Sequence, residues 1–106
     1  MRANYKRPFI QYVKKAHKPL QLAIEDAVED ICSSPEIGEL KRGDLTGIWV
    51  YKFQFNHQHY LIAYRPAEDE QSQEDIDIEL LMIDFLQVGS HENFYNALKR
   101  YLKTER

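Results

Sequence analysis

The chain has 106 residues, 43% hydrophobic and 12% aromatic, with four Gly and four Pro; this fits one globular domain over 1–106 and excludes a disordered, fibrous or two-domain chain. Its net charge of −3 argues against a nonspecific nucleic-acid binder, yet residues 66–79 hold seven acids and no base, so the rest of the chain is basic by about +4 and a polyanionic ligand stays open. The lone Cys32 cannot form an internal disulfide, no Cys/His cluster has zinc-site spacing, and no segment has the length of a membrane span or a secretory leader, so a cytoplasmic protein without a cofactor, metal or membrane contact is expected.

Pro8 suits a first helical turn, and Phe9, Tyr12, Val13 and Ala16 follow at helical spacing, which predicts a helix over 8–17. Pro19 breaks or restarts it. From Leu20 the positions Ala23, Ile24, Ala27, Val28 and Ile31 form an apolar stripe with Glu25, Asp26, Glu29 and Asp30 facing water, and Ser33-Ser34-Pro35 ends this second helix. Residues 35–47 contain three glycines and no period, and are read as a loop.

Ile48 to Phe55 alternates, with Trp49, Tyr51, Phe53 and Phe55 on one face and Ile48, Val50, Lys52 and Gln54 on the other, as a strand requires. Asn56-His57-Gln58 is a turn, His59 to Arg65 its antiparallel partner strand, and Pro66 the stop. The acidic stretch to Asp75 reads as a mobile hairpin loop, and Ile76 to Leu86 as a strand buried in mid-sheet. A last helix is expected to begin near Ser90 as N-cap, with Phe94, Leu98, Tyr101 and Leu102 on its buried stripe. The order predicts an α+β domain: two N-terminal helices, an antiparallel sheet of three or four strands, and a C-terminal helix.

The candidate chemistry centres on Val88 to Tyr95, read as a turn on Gly89 into the last helix. There His91 and Tyr95, four apart, would share a helical face, and imidazole is the side chain whose ordinary pKa lies nearest neutrality, suited to general acid or base work. His57 and His59 stand at the upstream hairpin, and Lys52 is a lone cation in an apolar strand. Each has a plainer reading: His91 as a solvated first-turn residue, His57 and His59 as polar hairpin residues, and Lys52 snorkelling at a sheet edge. Phe94, Tyr95, Tyr101 and Trp49 are ordinary core candidates, and His57 and His59 with Asp84 would be the residues of a metal site.

Gly43-Asp44-Leu45-Thr46-Gly47-Ile48-Trp49, then His59 to Arg65, then an apolar strand ending in Val88 to Tyr95, together resemble the RelE/ParE superfamily of bacterial type II toxins over residues 9–102. Members open with a short strand, for which residues 1–7 are a poor match. The resemblance implies a toxin held by a cognate antitoxin. RelE-like and YafQ-like members cleave mRNA on the ribosome, whereas ParE-like members poison DNA gyrase; a non-catalytic, antitoxin-binding module is a third possibility. Gly-Ser-His-x-x-x-Tyr is similar to the YafQ-type ending, which carries an active-site role onto His91 and Tyr95. Lys52 matches a basic position of RelE and Gln54 does not. Leu61 stands where RelE-like toxins commonly have arginine, leaving His57 or His59 as candidate substitutes.

Overall fold

A computed structural model describes residues 2–67 and 82–105. In chain order the elements are β1 (Arg2–Tyr5), α1 (Arg7–Lys15), α2 (Lys18–Ser33), β2 (Glu39–Leu40), β3 (Trp49–Phe55), β4 (Gln58–Pro66), β5 (Met82–Ser90) and α3 (Phe94–Thr104), with single 3₁₀ turns at Pro35–Ile37 and Gly43–Leu45. The five strands form one sheet in the order β1-β5-β4-β3-β2, antiparallel except for the parallel pair β1–β5. The acidic run and the expected start of the last strand at Ile76 lie outside the described residues.

The architecture is the expected α+β one, and the sheet is larger and mixed. The added strand β1 is short and polar, with little local signal of its own. It is held by its neighbour: Asn4 Nδ2 donates to Asp84 Oδ1 at 2.8 Å, the Lys6 amide to the Phe85 carbonyl at 2.9 Å, and the Tyr5 ring lies 5.2 Å from Phe9 and 5.5 Å from Phe85. The other added strand, β2, spans two residues inside what reads as loop.

Both N-terminal helices begin with Pro in the first turn, where a missing N–H costs nothing. Pro19 therefore restarts the helix, and Gln21 Nε2 donates to the Val13 carbonyl at 2.7 Å across the break. The stripe Leu20, Ile24, Ala27, Val28, Ile31 is buried as its spacing requires. It packs, with Phe9, on one sheet face against Ile62, Tyr64, Phe85 and Val88. On the opposite face Val50, Leu61, Ala63 and Leu86 pack under Phe94 and Leu98 of α3. The sheet is thus the middle of three layers.

Two irregularities set the geometry of the sheet. Ala63 pairs with Gln87 but Tyr64 with Phe85, so Leu86 is an extra residue in β5, a bulge that changes the phase of its alternation. Around Tyr64, only 1% exposed, the chain entering β2 is tied down: the phenol donates to the Pro35 carbonyl at 2.6 Å and accepts from the Gly38 amide at 3.0 Å. A side chain at residue 38 would collide with that hydroxyl, which accounts for glycine there.

Three details depart from expectation at the end of the sheet. β5 continues through Gly89 to Ser90, so no turn forms at Gly89. A turn over 91–93 follows, and Asn93, not Ser90, occupies the N-cap position of α3. The reason is competition: the β4 partner positions Leu61 and Tyr60 extend pairing to Gly89 and Ser90, and a sheet ladder outweighs a local capping preference.

Candidate functional site

The hairpin tip sets one side of the site. A two-residue turn, Asn56-His57, joins β3 to β4 with φ of 52° and 65°, the left-handed pair that matches the twist of flanking strands. Asn tolerates that region and His much less so. The register then places Gln54 opposite His59 and Lys52 opposite Leu61. On the other side of β4, Leu61 pairs with Gly89 and Tyr60 with Ser90, and one step further the His91 amide donates to the His59 carbonyl at 3.3 Å.

Residues far apart in sequence therefore converge at one end of the α3-facing side of the sheet. Lys52, His57, Gln58, His59, His91 and Glu92 line a single open pocket of about 370 Å³. Lys52, His57, His59, His91 and Glu92 are exposed, so each can reach a ligand and is accessible to water. The floor beside them is apolar: Leu61 is 2% exposed and belongs to the core under Phe94. The position where the superfamily resemblance leads one to look for arginine is thus a packing position, and among the described lining residues Lys52 is the permanent cation.

Tyr95 lies apart from this group. His91 precedes α3 by three residues, so the two do not share a helical face. The Tyr95 ring packs edge-on to Phe94 at 5.2 Å and has the Lys41 ammonium 5.5 Å from its centroid. Burial opposes the Lys41 charge, but contacts with Tyr95 and Glu39 outweigh it and hold the ammonium pKa above its ordinary value. Glu39 lies 3.3 Å from that ammonium.

Asp84 does not join the histidines. It is 6% exposed and bound to Asn4, on the strand position opposite Arg65, away from the hairpin tip. Among the described residues no group of three His, Cys, Asp or Glu is arranged to hold a metal ion, so His57, His59 and Asp84 do not make one. At that same end of the sheet Arg65 Nη2 meets Glu105 Oε1 at 2.8 Å. The Tyr101 phenol nearby is pushed up to about 12 by burial first and then by Glu105.

Two members of the neighbourhood were not singled out in the sequence. Glu92 lines the pocket, and its only signal is adjacency to His91. Lys41 reaches Tyr95 from the position just after β2, a strand without a sequence signature. On the opposite face, α1 and α2 enclose a groove of about 330 Å³ lined in part by Ile10, Val13, Leu22 and Val28. Among the described residues no helix is long and apolar enough to cross a membrane.

Comparison with known proteins now gives this geometry a setting. Residues 4–99 match the family model described as the ParE-like toxin of type II bacterial toxin-antitoxin systems. The fold is similar to a chain of the crystal structure of the intact E. coli RelBE toxin-antitoxin complex, with a TM-score of 0.57 at 15% identity, covering 86% of this chain and 96% of that one. Among curated proteins none matches. The chain belongs to the ParE-like family of type II toxins, within the RelE/ParE superfamily.

Proposed function

We propose that the chain, as a single cytoplasmic toxin domain over 1–106, is a ribosome-dependent mRNA endonuclease restrained by a cognate antitoxin. The observation that supports this reading is the convergence of His91, His59 and His57 with Lys52 in one open pocket, produced by the register of three strands. Metal-independent RNA cleavage needs a base to take the 2′-hydroxyl proton, an acid to protonate the leaving 5′-oxygen, and positive charge beside the phosphorane oxygens. The 2′-oxygen forms its bond to phosphorus as the bond to the 5′-oxygen breaks, leaving a 2′,3′-cyclic phosphate. His91 and His59 supply the acid and base, on adjacent backbone positions bonded at 3.3 Å. His57 is the alternative partner at the turn. Lys52 carries the electrostatic role, and Tyr95, on the neighbouring first turn of α3, offers a ring for stacking a base.

The test is to express the chain and map mRNA ends on translating ribosomes. Codon-phased cuts are expected, reduced by about 10²- to 10⁴-fold in His91→Ala, the range for loss of an acid/base group. If His91→Ala cuts like the parent, the assignment fails.

A second reading is favoured by Leu61, a buried apolar residue where the superfamily resemblance leads one to look for arginine, and by the ParE-like family description. In that reading the toxin inhibits DNA gyrase and the histidines are surface residues. Intact mRNA with accumulated gyrase-cleaved DNA would select it; neither effect would leave a non-catalytic antitoxin-binding module.

A further inference from the structure

The face opposite the histidine pocket is the outer surface of α1 and α2, and it carries apolar side chains that the fold leaves uncovered. Ile10 is 39% exposed, Tyr5 43% and Leu22 48%. All three line one groove, which is floored by the buried Phe9 and Ile24, so they form a patch and not singly scattered surface residues. On α2 the lining positions Lys18, Leu22 and Glu25 follow at steps of four and three, which puts them on one outward stripe.

Charge on this face is sorted by position. The tip where α1 gives way to α2 holds Lys14, Lys15 and Lys18 with no acid, and the second half of α2 holds Glu25, Asp26, Glu29 and Asp30 with no base. Among the described residues no ion pair joins the two sets. Lys18 and Glu25 are about 10 Å apart along the helix axis. They are too far apart to pair with each other, and well spaced to pair with a copy that runs the other way.

We propose that a second copy of this chain docks on this face about a two-fold axis beside Leu22, with the two α2 helices antiparallel. Such an axis exchanges the ends of the stripe, so Lys18 of each copy meets Glu25 of the other and each basic tip lies over the other copy's acidic half. The Leu22 side chains, next to the axis, enter the facing grooves beside Ile10 and Val13. A parallel arrangement would oppose Lys18 to Lys18 and Glu25 to Glu25, which like charge disfavours. Two helices side by side over the 16 residues of α2 offer about 500 Å² per copy, and about 1,000 Å² in all is the low end for a specific interface. The dimer is therefore reversible, with a dissociation constant of about 1–100 µM. Both histidine pockets stay open in it, and the inference does not depend on RNA cleavage.

The test is sedimentation of the whole chain across that concentration range, where the mass should rise from one chain to two. Lys18→Glu and Glu25→Lys should each weaken association at least tenfold, since each creates two like-charged pairs. The double variant K18E/E25K should return to within threefold of the parent. An equimolar mixture of the two single variants should form a heterodimer, because every pair across the axis is then of opposite sign. Leu22→Glu, a good helix former at an exposed position, should keep the fold by near-UV circular dichroism and stay a single chain throughout. A parent that stays single would overturn the proposal, as would a dimer indifferent to Leu22→Glu or a double charge variant no better than the single ones. Methyl shifts at Ile10, Val13 and Leu22 that ignore chain concentration and appear only with sodium dodecanoate, or only with a blocked amphipathic helical peptide of Leu, Glu and Lys, would also overturn it and give the groove to that occupant. None of these readouts involves mRNA cutting, so a failed endonuclease assay leaves them intact.

Discussion

Tyr64→Phe tests the link between the buried sheet and the segment that enters β2. The substitution keeps the ring, which stacks 6.4 Å from Trp49 and 6.1 Å from Phe85, and removes only the hydroxyl. That oxygen makes the 2.6 Å bond to the Pro35 carbonyl and the 3.0 Å bond from the Gly38 amide. Each bond contributes about 1 kcal/mol net, and a backbone group left without a partner costs about 1–3 kcal/mol. Pro35 and Gly38 are partly exposed, so water reaches them in the variant and the loss should be near the lower end, about 2 kcal/mol. Urea unfolding followed by Trp49 fluorescence should show a midpoint lower by about 1–2 M at unchanged slope, for a slope of about 1–1.5 kcal/mol per M. The Lys41 amide, which depends on β2 staying in place, should exchange faster by more than the global loss explains. A loss under about 0.5 kcal/mol, below the usual contribution of even one such bond, would refute the view that this hydroxyl holds the segment.

Further outcomes follow from the same geometry. His57→Gly should stabilise the chain by about 0.5–1 kcal/mol, since a left-handed residue costs about 1–2 kcal/mol and glycine returns part of that as unfolded-state entropy; thermal melts check this, and a cleavage assay on the same variant reports whether the imidazole matters. Leu61→Ala should cost about 2–5 kcal/mol as a core truncation, measured by urea unfolding, whereas a surface residue would show almost no change. The Tyr101 phenol, raised from 10.0 to about 12, contributes stability that is complete below pH 10 and is lost as pH climbs through 12. Tyr101→Phe should remove that alkaline component, seen as a flatter dependence of the melting temperature on pH above 10.

The elements that could be read in advance are those whose signal is periodic and local. The α2 stripe and the alternation of β3 each hold a single phase for long enough to specify a face, and Asn56 is a local cue for the turn after β3. β1 is polar and short, and its strand character comes from β5, more than 70 residues away. The start of α3 misleads because Ser90 is a good capping residue locally, yet its backbone is already committed to β4. The candidate site was legible as residue types and not as an arrangement. His57, His59, His91 and Lys52 stand out by chemistry, but the neighbour relation of His59 to His91 depends on register, and register is decided by the core. The four-residue spacing of His91 and Tyr95 suggests a shared helical face, and the 91–93 turn interrupts it.

The bulge at Leu86 carries a consequence for how such a chain can vary. Upstream of it Ile83 and Phe85 lie with the N-terminal helices, and downstream Val88 does, so one surplus residue resets odd to even. Deleting any one residue between the bulge and Ser90 would move Ser90 into the register now held by Gly89 and slide the residue numbered 91 from its place beside His59 to a place beside Tyr60. The spacing from Phe85 to His91 is therefore constrained as tightly as the identity of the histidine. Variation in this segment should be found as substitutions, with single-residue gaps confined to stretches outside the ladder.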